Sequence, residues 1–285
     1  MSKIDIEYLR IWVGREHSVA DDLNSFPARA LAAALDHASL PGTGEALPPS
    51  WHWLYFLDTP TASVTGPDGH PKKGGFLPPV PLPRRMWAAG NLHIEQPLIL
   101  GTPAEKKSTI RSVELKEGKS GALVFVNIEH ALHQNGRRCI LEEQNVVYRD
   151  MPTTSVLPPG EVAPRDADWV KTITPDPVLL FRFSALTYNC HRIHYDREYA
   201  TKEEFYPALV VHGPLLATLL LDHISANVKD KRVGRFSFRA VRPTFDTAPF
   251  AVSGKREGDQ VSLWTTDAEG FVGMTAKAVL ISGQK

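Results

Sequence analysis

Cysteine is scarce in this 285-residue chain: only Cys139 and Cys190 occur, far apart and in no C-x-x-C spacing. That usage suits a reducing compartment, makes the cytosol the expected location and argues against a structural zinc site. An excess of charge of either sign is missing too. Thirty-two basic residues balance thirty-two acidic ones, which leaves no long-range field to recruit nucleic acid or an anionic membrane. A long uninterrupted apolar run is also lacking. The longest, Leu209 to Leu221, is broken by His212, Gly213 and Pro214, so no membrane span is expected. The opening stretch, MSKIDIEYLRIWVGREHS, is charged throughout and has no apolar core of the secretory-signal kind.

What the chain does contain is one plan used twice. Residues 21–36, DDLNSFPARALAAALD, repeat alanine and leucine at helical spacing behind two aspartates that suit the positive helix start. Residues 90–102 and 108–150 then read as alternating strands, with turns at Glu117-Gly118 and Asn135-Gly136, the latter a strong hairpin signal. The second half repeats the order. Residues 209–226 form a long apolar helix, and residues 235–245, 248–259 and 260–282 form strands with turns at Glu257-Gly258 and Glu269-Gly270. A proline falls inside the first strand after the helix in both copies, at Pro97 and Pro243, where it belongs at an edge or bulge.

This is the pattern of an internal duplication. It predicts an α+β fold in which each antiparallel sheet buries one face against its own helix. The expected units are residues 1–150, a linker at 151–177 holding six prolines, and residues 178–285. Between its helix and Pro97 the first copy carries about sixty residues, against about sixteen before Pro243 in the second. The surplus, at about 41–90, has nine prolines from Pro48 to Pro83 and three tryptophans. It is too apolar for a free linker and too rich in proline for regular structure, so it reads as a lid or binding segment.

Chemistry concentrates in NCHRIHYDREYA, residues 189–200, read as a loop at the end of an apolar strand, LLFRF. A histidine near an asparagine can orient and deprotonate a water, because imidazole titrates near neutrality and the amide offers both donor and acceptor. Either His191 or His194 fits the base, and pairing with Asp196 is the structural alternative. Downstream, VVHGPLLATLLLDH opens a helix with glycine and proline, Pro214 suiting the first helical position. The free N–H groups of such a start, Gly213 among them, hold an anion or an oxygen gaining charge.

SALTYNCHRIHYDREYA followed by LVVHGPLLATLLL resembles the MaoC-type (R)-specific enoyl-CoA hydratases, also called hydratase 2. WHWLYFL, GPDGHPKKGGFLPPVPLPRRMWAAG and EEQNVVYRD are similar to the double-hotdog branch that includes mitochondrial 3-hydroxyacyl-thioester dehydratases and bacterial mesaconyl-C4-CoA and itaconyl-CoA hydratases. The resemblance covers essentially the whole chain. It implies a double hotdog, two antiparallel sheets each wrapped around a long helix, and a hydro-lyase acting on an acyl-CoA thioester without metal or redox cofactor. The family's catalytic histidine falls at His194, its oxyanion N–H at Gly213, and its aspartate position at Asn189. An asparagine can hold a water but cannot exchange a proton as a carboxylate does, which leaves both proton transfers to His194.

For substrate binding, His212, Arg84, Arg85 and Arg192 are the candidates, the arginines for a carboxylate on the acyl chain or for CoA phosphates. The resemblance favours a C5 dicarboxylic acyl-CoA, itaconyl-CoA or mesaconyl-C4-CoA, with a medium-chain 3-hydroxyacyl-thioester dehydratase as the alternative. A hotdog thioesterase and a non-catalytic acyl-CoA-binding module are the readings of another class. A monomer or a homodimer is compatible with such sheets. GTPAEKKST at Gly101 lacks the second glycine of a phosphate loop, and the loop spacing of Cys190, His191, His194 and His212 matches no common metal-ligand pattern. WHWLYF at Trp51 to Phe56 is expected to pack the insertion onto the body.

Overall fold

In the computed structural model, which describes residues 4–118, 121–151, 157 and 159–283, ten strands form one continuous antiparallel sheet. The first half contributes β1 (Glu16–Asp21), β2 (Arg84–Ile94), β3 (Ala104–Gly118), β4 (Gly121–Gln134) and β5 (Arg137–Arg149). The second contributes β6 (Trp169–Ile173), β7 (Lys231–Ala240), β8 (Phe250–Glu257), β9 (Gln260–Thr266) and β10 (Val272–Ser282). Their order is β1-β3-β4-β5-β2-β7-β10-β9-β8-β6. Outward from the β2–β7 seam, β2-β5-β4-β3-β1 therefore mirrors β7-β10-β9-β8-β6. The seam runs from Ala89↔Arg239 to His93↔Arg235 and gives each half's inner strand a partner.

The strands carry the periodicity that builds them. Along β4, Val124, Val126, Ile128, His130 and Leu132 are buried on one face while their neighbours are half-buried, the period of two of a pleated strand. Its hairpin to β5 turns at Asn135 and Gly136, whose φ values of 52° and 73° are the left-handed geometry that Asn-Gly supplies.

Helix α5 (Gly213–Asn227) packs against β7, β8, β9 and β10. Leu215, Leu216, Leu219, Leu220, Leu221 and Ile224 are each at most 5 % exposed, so residues 215–221 are enclosed on every side, while the last turn, Ser225 to Asn227, is exposed. Each such side chain contributes about 1.5–3 kcal/mol on burial. After the short α1 (Ile6–Arg10), helix α2 (Ser25–Ala34), capped by Asn24 through a 3.2 Å bond from the Phe26 N–H, buries Ala28, Leu31 and Ala32. Residues of both helices belong to one continuous core.

Several expectations need correction. Pro97 and Pro243 lie just past the ends of β2 and β7, not inside them, where a missing N–H costs no ladder bond. The segment expected as a linker, 151–177, contains β6, which pairs with β8 from Trp169↔Gly254 to Ile173↔Phe250 and is the counterpart of β1. Residues 152–156 and 158 of that segment lie outside the described residues. The insertion ends as strand, because Arg84 to Gly90 belong to β2. Within it, Trp51, Leu54, Tyr55 and Phe56 are buried against the body, as expected. Among the described residues no helix is long and apolar enough to cross a membrane.

Candidate active site

The apolar stretch before the proton-handling loop, expected as a strand, is helix α3 (Pro177–Leu186). Asp176 caps it by accepting the Leu179 N–H at 2.7 Å, and Pro177 follows at the start of the helix. That start signal outweighs the strand propensity of LLFRF. Leu180, Phe183 and Ser184 face inward at the i, i+3, i+4 spacing of one helix face. A single 3₁₀ turn at Arg192–His194 then delivers His194, and helix α4 (Arg197–Lys202) follows, capped by Asp196, which accepts the Tyr199 N–H at 3.0 Å.

His194 is buried, and its Nδ1 lies 2.7 Å from the Val210 carbonyl oxygen. A carbonyl only accepts, so Nδ1 carries the proton and Nε2 is left with its lone pair, the form a general base requires. The His212 ring stacks on it at 3.7 Å between centroids and 21° between planes. His212 Nε2 is in turn 2.8 Å from the Ser184 hydroxyl of α3. Asn189 accepts the His191 N–H through Oδ1 at 3.0 Å, which leaves its amide NH₂ as the available end. Helix α5 starts at Gly213, one residue before Pro214, and its first N–H groups have no acceptor within the helix.

His194, Asn189 and Gly213 line one cavity of about 460 Å³. Arg84 and Arg85 of β2 line it as well, with Trp87, Leu216 and Met274 among the apolar walls, and the insertion adds His70, Pro71 and Leu77. The insertion is thus part of the site. Gly69, at φ +91°, fastens it: a Cβ there would sit 1.7 Å from the Cys190 carbonyl oxygen, so only glycine permits this approach.

Two predicted binding residues lie elsewhere. His212 has no exposed surface and sits behind His194, where it supports the ring instead of touching a ligand. Arg192 points away from the cavity and holds the insertion and α4. It donates to the Pro67 carbonyl at 3.1 Å and to Asp196 at 2.8 and 3.0 Å, and lies over the Tyr199 ring at 4.2 Å. Arg84 lines the cavity but is already engaged, its Nε 2.9 Å from Glu204 and its Nη2 donating to the Tyr206 hydroxyl.

His70 and Glu204 are cavity residues that the sequence reading missed. His191 Nε2 donates to Glu204 at 3.0 Å, its ring lies 4.3 Å from that of His70, and His70 Nδ1 is 3.2 Å from Asp68. Asp68, His70 and His191 present their ligand-type atoms within 4.8 Å of one another. The bonds just given already occupy His191 Nε2 and His70 Nδ1, and Cys190, once weighed with the histidines, is exposed with its thiol directed to the Tyr188 carbonyl.

An imidazole base, an amide and a helix start around one cavity are the parts needed to add water to, or remove it from, an acyl thioester. Residues 50–246 match the family described as hydroxyacyl-thioester dehydratase type 2. The chain belongs to that family. Mesaconyl-C(4)-CoA hydratase of Chloroflexus aurantiacus is 45% identical over 272 residues, covering 95% of this chain and 96% of that one. The mitochondrial hydroxyacyl-thioester dehydratase type 2 of Schizosaccharomyces pombe is 29% identical over 79% of this chain and 83% of its own. A MaoC-like dehydratase from Phytophthora capsici shares the fold, with a TM-score of 0.70 at 12% identity over 98% of this chain and all of that one. The double hotdog is the fold, and hydratase/dehydratase is the enzyme class.

The electrostatics of the site keep His194, His212 and His70 neutral. Burial, then the neighbouring His212 and His191 rings, hold His194 well below the usual histidine range. Burial first and His191 second push His212 down to about 3. His70 is pushed down to about 4, again mainly by burial. Glu204 goes the other way for a carboxyl in a dry site: burial raises it, but His191 and the Arg84 guanidinium outweigh that and keep it below the ordinary glutamate range.

Proposed function

We propose that the enzyme reversibly adds water to the double bond of a C5 dicarboxylic enoyl-CoA, itaconyl-CoA or mesaconyl-C4-CoA, giving citramalyl-CoA or a related hydroxyacyl thioester. The observation that carries this reading is that His194 and the opening turn of α5 at Gly213 line the same cavity. Asn189 donates through its amide NH₂ to the water oxygen, and His194 Nε2 takes one water proton. With mesaconyl-C4-CoA, whose double bond is conjugated to the thioester, the oxygen bonds to Cβ while the π electrons move toward the thioester carbonyl, whose oxygen the Gly213 N–H grips. The imidazolium then returns its proton to Cα, so that one residue serves as base and acid and the addition is syn.

The burial that keeps His194 neutral also makes its imidazolium a strong acid, which favours the second transfer. The base contributes about 10²–10⁴-fold and one oxyanion donor about 10²–10³-fold. Neither alone makes an enzyme. Arg85, half-buried at the cavity and donating to the Pro71 carbonyl at 3.1 Å, is the arginine suited to CoA phosphates.

The 45% identity to a protein named for mesaconyl-C(4)-CoA supports the C5 dicarboxylic substrate. The test is a screen of itaconyl-, mesaconyl-C4-, crotonyl- and medium-chain enoyl-CoA thioesters, following loss of enoyl absorbance and release of free thiol in parallel. Hydration led by a C5 dicarboxylic thioester is the expected result. Preference for the medium chain would make the enzyme a chain-elongation type dehydratase, and thiol release without hydration would overturn the reading.

A further inference from the structure

A second cavity, of about 210 Å³, adjoins the first, and Trp87, Asn189 and Pro214 line both. Its remaining walls come from the first half of the chain and from α3. Glu142 of β5 is buried there with both oxygens committed: His52 Nε2 donates to one at 2.9 Å, and Trp53 Nε1 and Gln144 Nε2 donate to the other at 3.0 and 2.9 Å. A carboxylate with three donors has its hydrogen bonds satisfied, and its charge acts on the Lys106 ammonium that lines the same chamber.

What remains over is donor capacity. His130 is 8 % exposed and accepts the Ser108 hydroxyl through Nδ1 at 2.7 Å, which puts the ring proton on Nε2, an atom that meets no partner at hydrogen-bonding geometry among the described residues. His52 Nδ1 also lacks a partner, but with the ring proton on Nε2 it is an acceptor and adds no donor. Lys106 gives one of its three ammonium hydrogens to the Phe56 carbonyl at 3.1 Å. Asn189 has its Oδ1 taken and its NH₂ free for the boundary between the chambers. A buried polar nitrogen without a partner is rare in native proteins and asks for a ligand. One cation and neutral N–H donors around a committed carboxylate select an anionic oxygen, and the volume admits a short branch of an acyl group, not a nucleotide.

We propose that this second chamber is a carboxylate subsite, in which Lys106 Nζ and His130 Nε2 hold a carboxylate borne by the acyl group beside its double bond. The subsite rests on the hydration reading above. It places the double bond at Asn189 and Pro214, between the thioester grip at Gly213 and the carboxylate grip at Lys106, and so makes substrate choice a property of the first half of the chain.

The experiment compares kcat/KM for mesaconyl-C4-CoA and for crotonyl-CoA, which lacks the carboxylate, in the wild type and in the Lys106→Met, Lys106→Arg and His130→Phe variants. Losing one charge-assisted hydrogen bond lowers kcat/KM for the carboxylated substrate about tenfold to a hundredfold. Crotonyl-CoA stays within about threefold, and Lys106→Arg recovers part of the loss. Equal losses on both substrates, or none on either, overturn the subsite. Should the variants fail to fold, the wild type decides: a preference of at least about tenfold for the carboxylated thioester is expected, and parity overturns the proposal. Absence of hydration with both thioesters strikes the hydration reading instead.

Discussion

Replacing Gly213 with proline isolates one backbone N–H. The position opens α5, where that N–H has no acceptor in the helix and proline is the residue best suited to the turn. His212 before it stands at φ −60°, ψ 133°, inside the extended region that a residue preceding proline prefers. A Cβ at Gly213 would meet only the Trp87 carbonyl oxygen at 3.8 Å and the Met274 methyl at 4.0 Å, both ordinary contacts. The new ring would itself precede Pro214, which disfavours helical φ/ψ at 213, so the helix is expected to form on its buried leucines with a modest fall in thermal midpoint. The ring puts a methylene where the donor was, so at least one oxyanion contact is lost, a fall of about 10²–10³ in kcat or about 2.7–4 kcal/mol. Gly213→Ala keeps the N–H and serves as the control, with turnover expected within a few-fold of wild type. The assay follows enoyl-thioester absorbance in folded protein of each variant. A proline variant that turns over within tenfold of wild type would refute the assignment of Gly213.

Three further outcomes follow from the buried charges. Glu204→Gln leaves the Arg84 guanidinium, 13 % exposed, without its anion, and urea unfolding should show a loss of about 3–5 kcal/mol; a change below 1 kcal/mol would mean that the pair is dispensable. Because His194 is held well below the usual histidine range, its protonation on acidification comes late, and the acid limb of kcat/KM should lie below pH 6.5; a limb centred at 6.5 would place the base elsewhere. His212 is lowered to about 3 in the fold, so on acidification the unfolded chain takes up its proton first, near 6.5. The stability that His212 contributes is full above that pH and is lost as pH falls toward 3, about 2 kcal/mol by pH 5. Urea midpoints that do not move between pH 7 and 5 would contradict a neutral, buried His212.

The sequence exposes what is written locally. Glycine and proline before an apolar run mark the start of α5, and Asn135-Gly136 marks a hairpin because only such residues take left-handed φ cheaply. Hydrophobic period and turn spacing repeat, so the duplication is visible without coordinates. α3 reads as a strand because LLFRF has the composition of one, while the decisive signal, Asp176-Pro177, lies outside it. His212 and Arg192 look like ligand residues in a dense polar stretch, and only packing shows that one braces His194 and the other clamps the insertion. Glu204 hides in the polar run KEEF, and Arg84, which makes it a site residue, lies 120 positions away in sequence. His70 belongs to a proline-rich segment whose docking depends on the contact of Gly69 with Cys190, and no local pattern encodes such a contact.

The most direct measurement is hydration of an enoyl-CoA by the His194→Ala variant, with circular dichroism and the thermal midpoint recorded on the same protein. Loss of turnover by about 10²–10⁴-fold in a folded protein is the expected result. Turnover close to that of the wild type would contradict the account, because the His194 imidazole would then not be needed at the cavity it shares with Gly213.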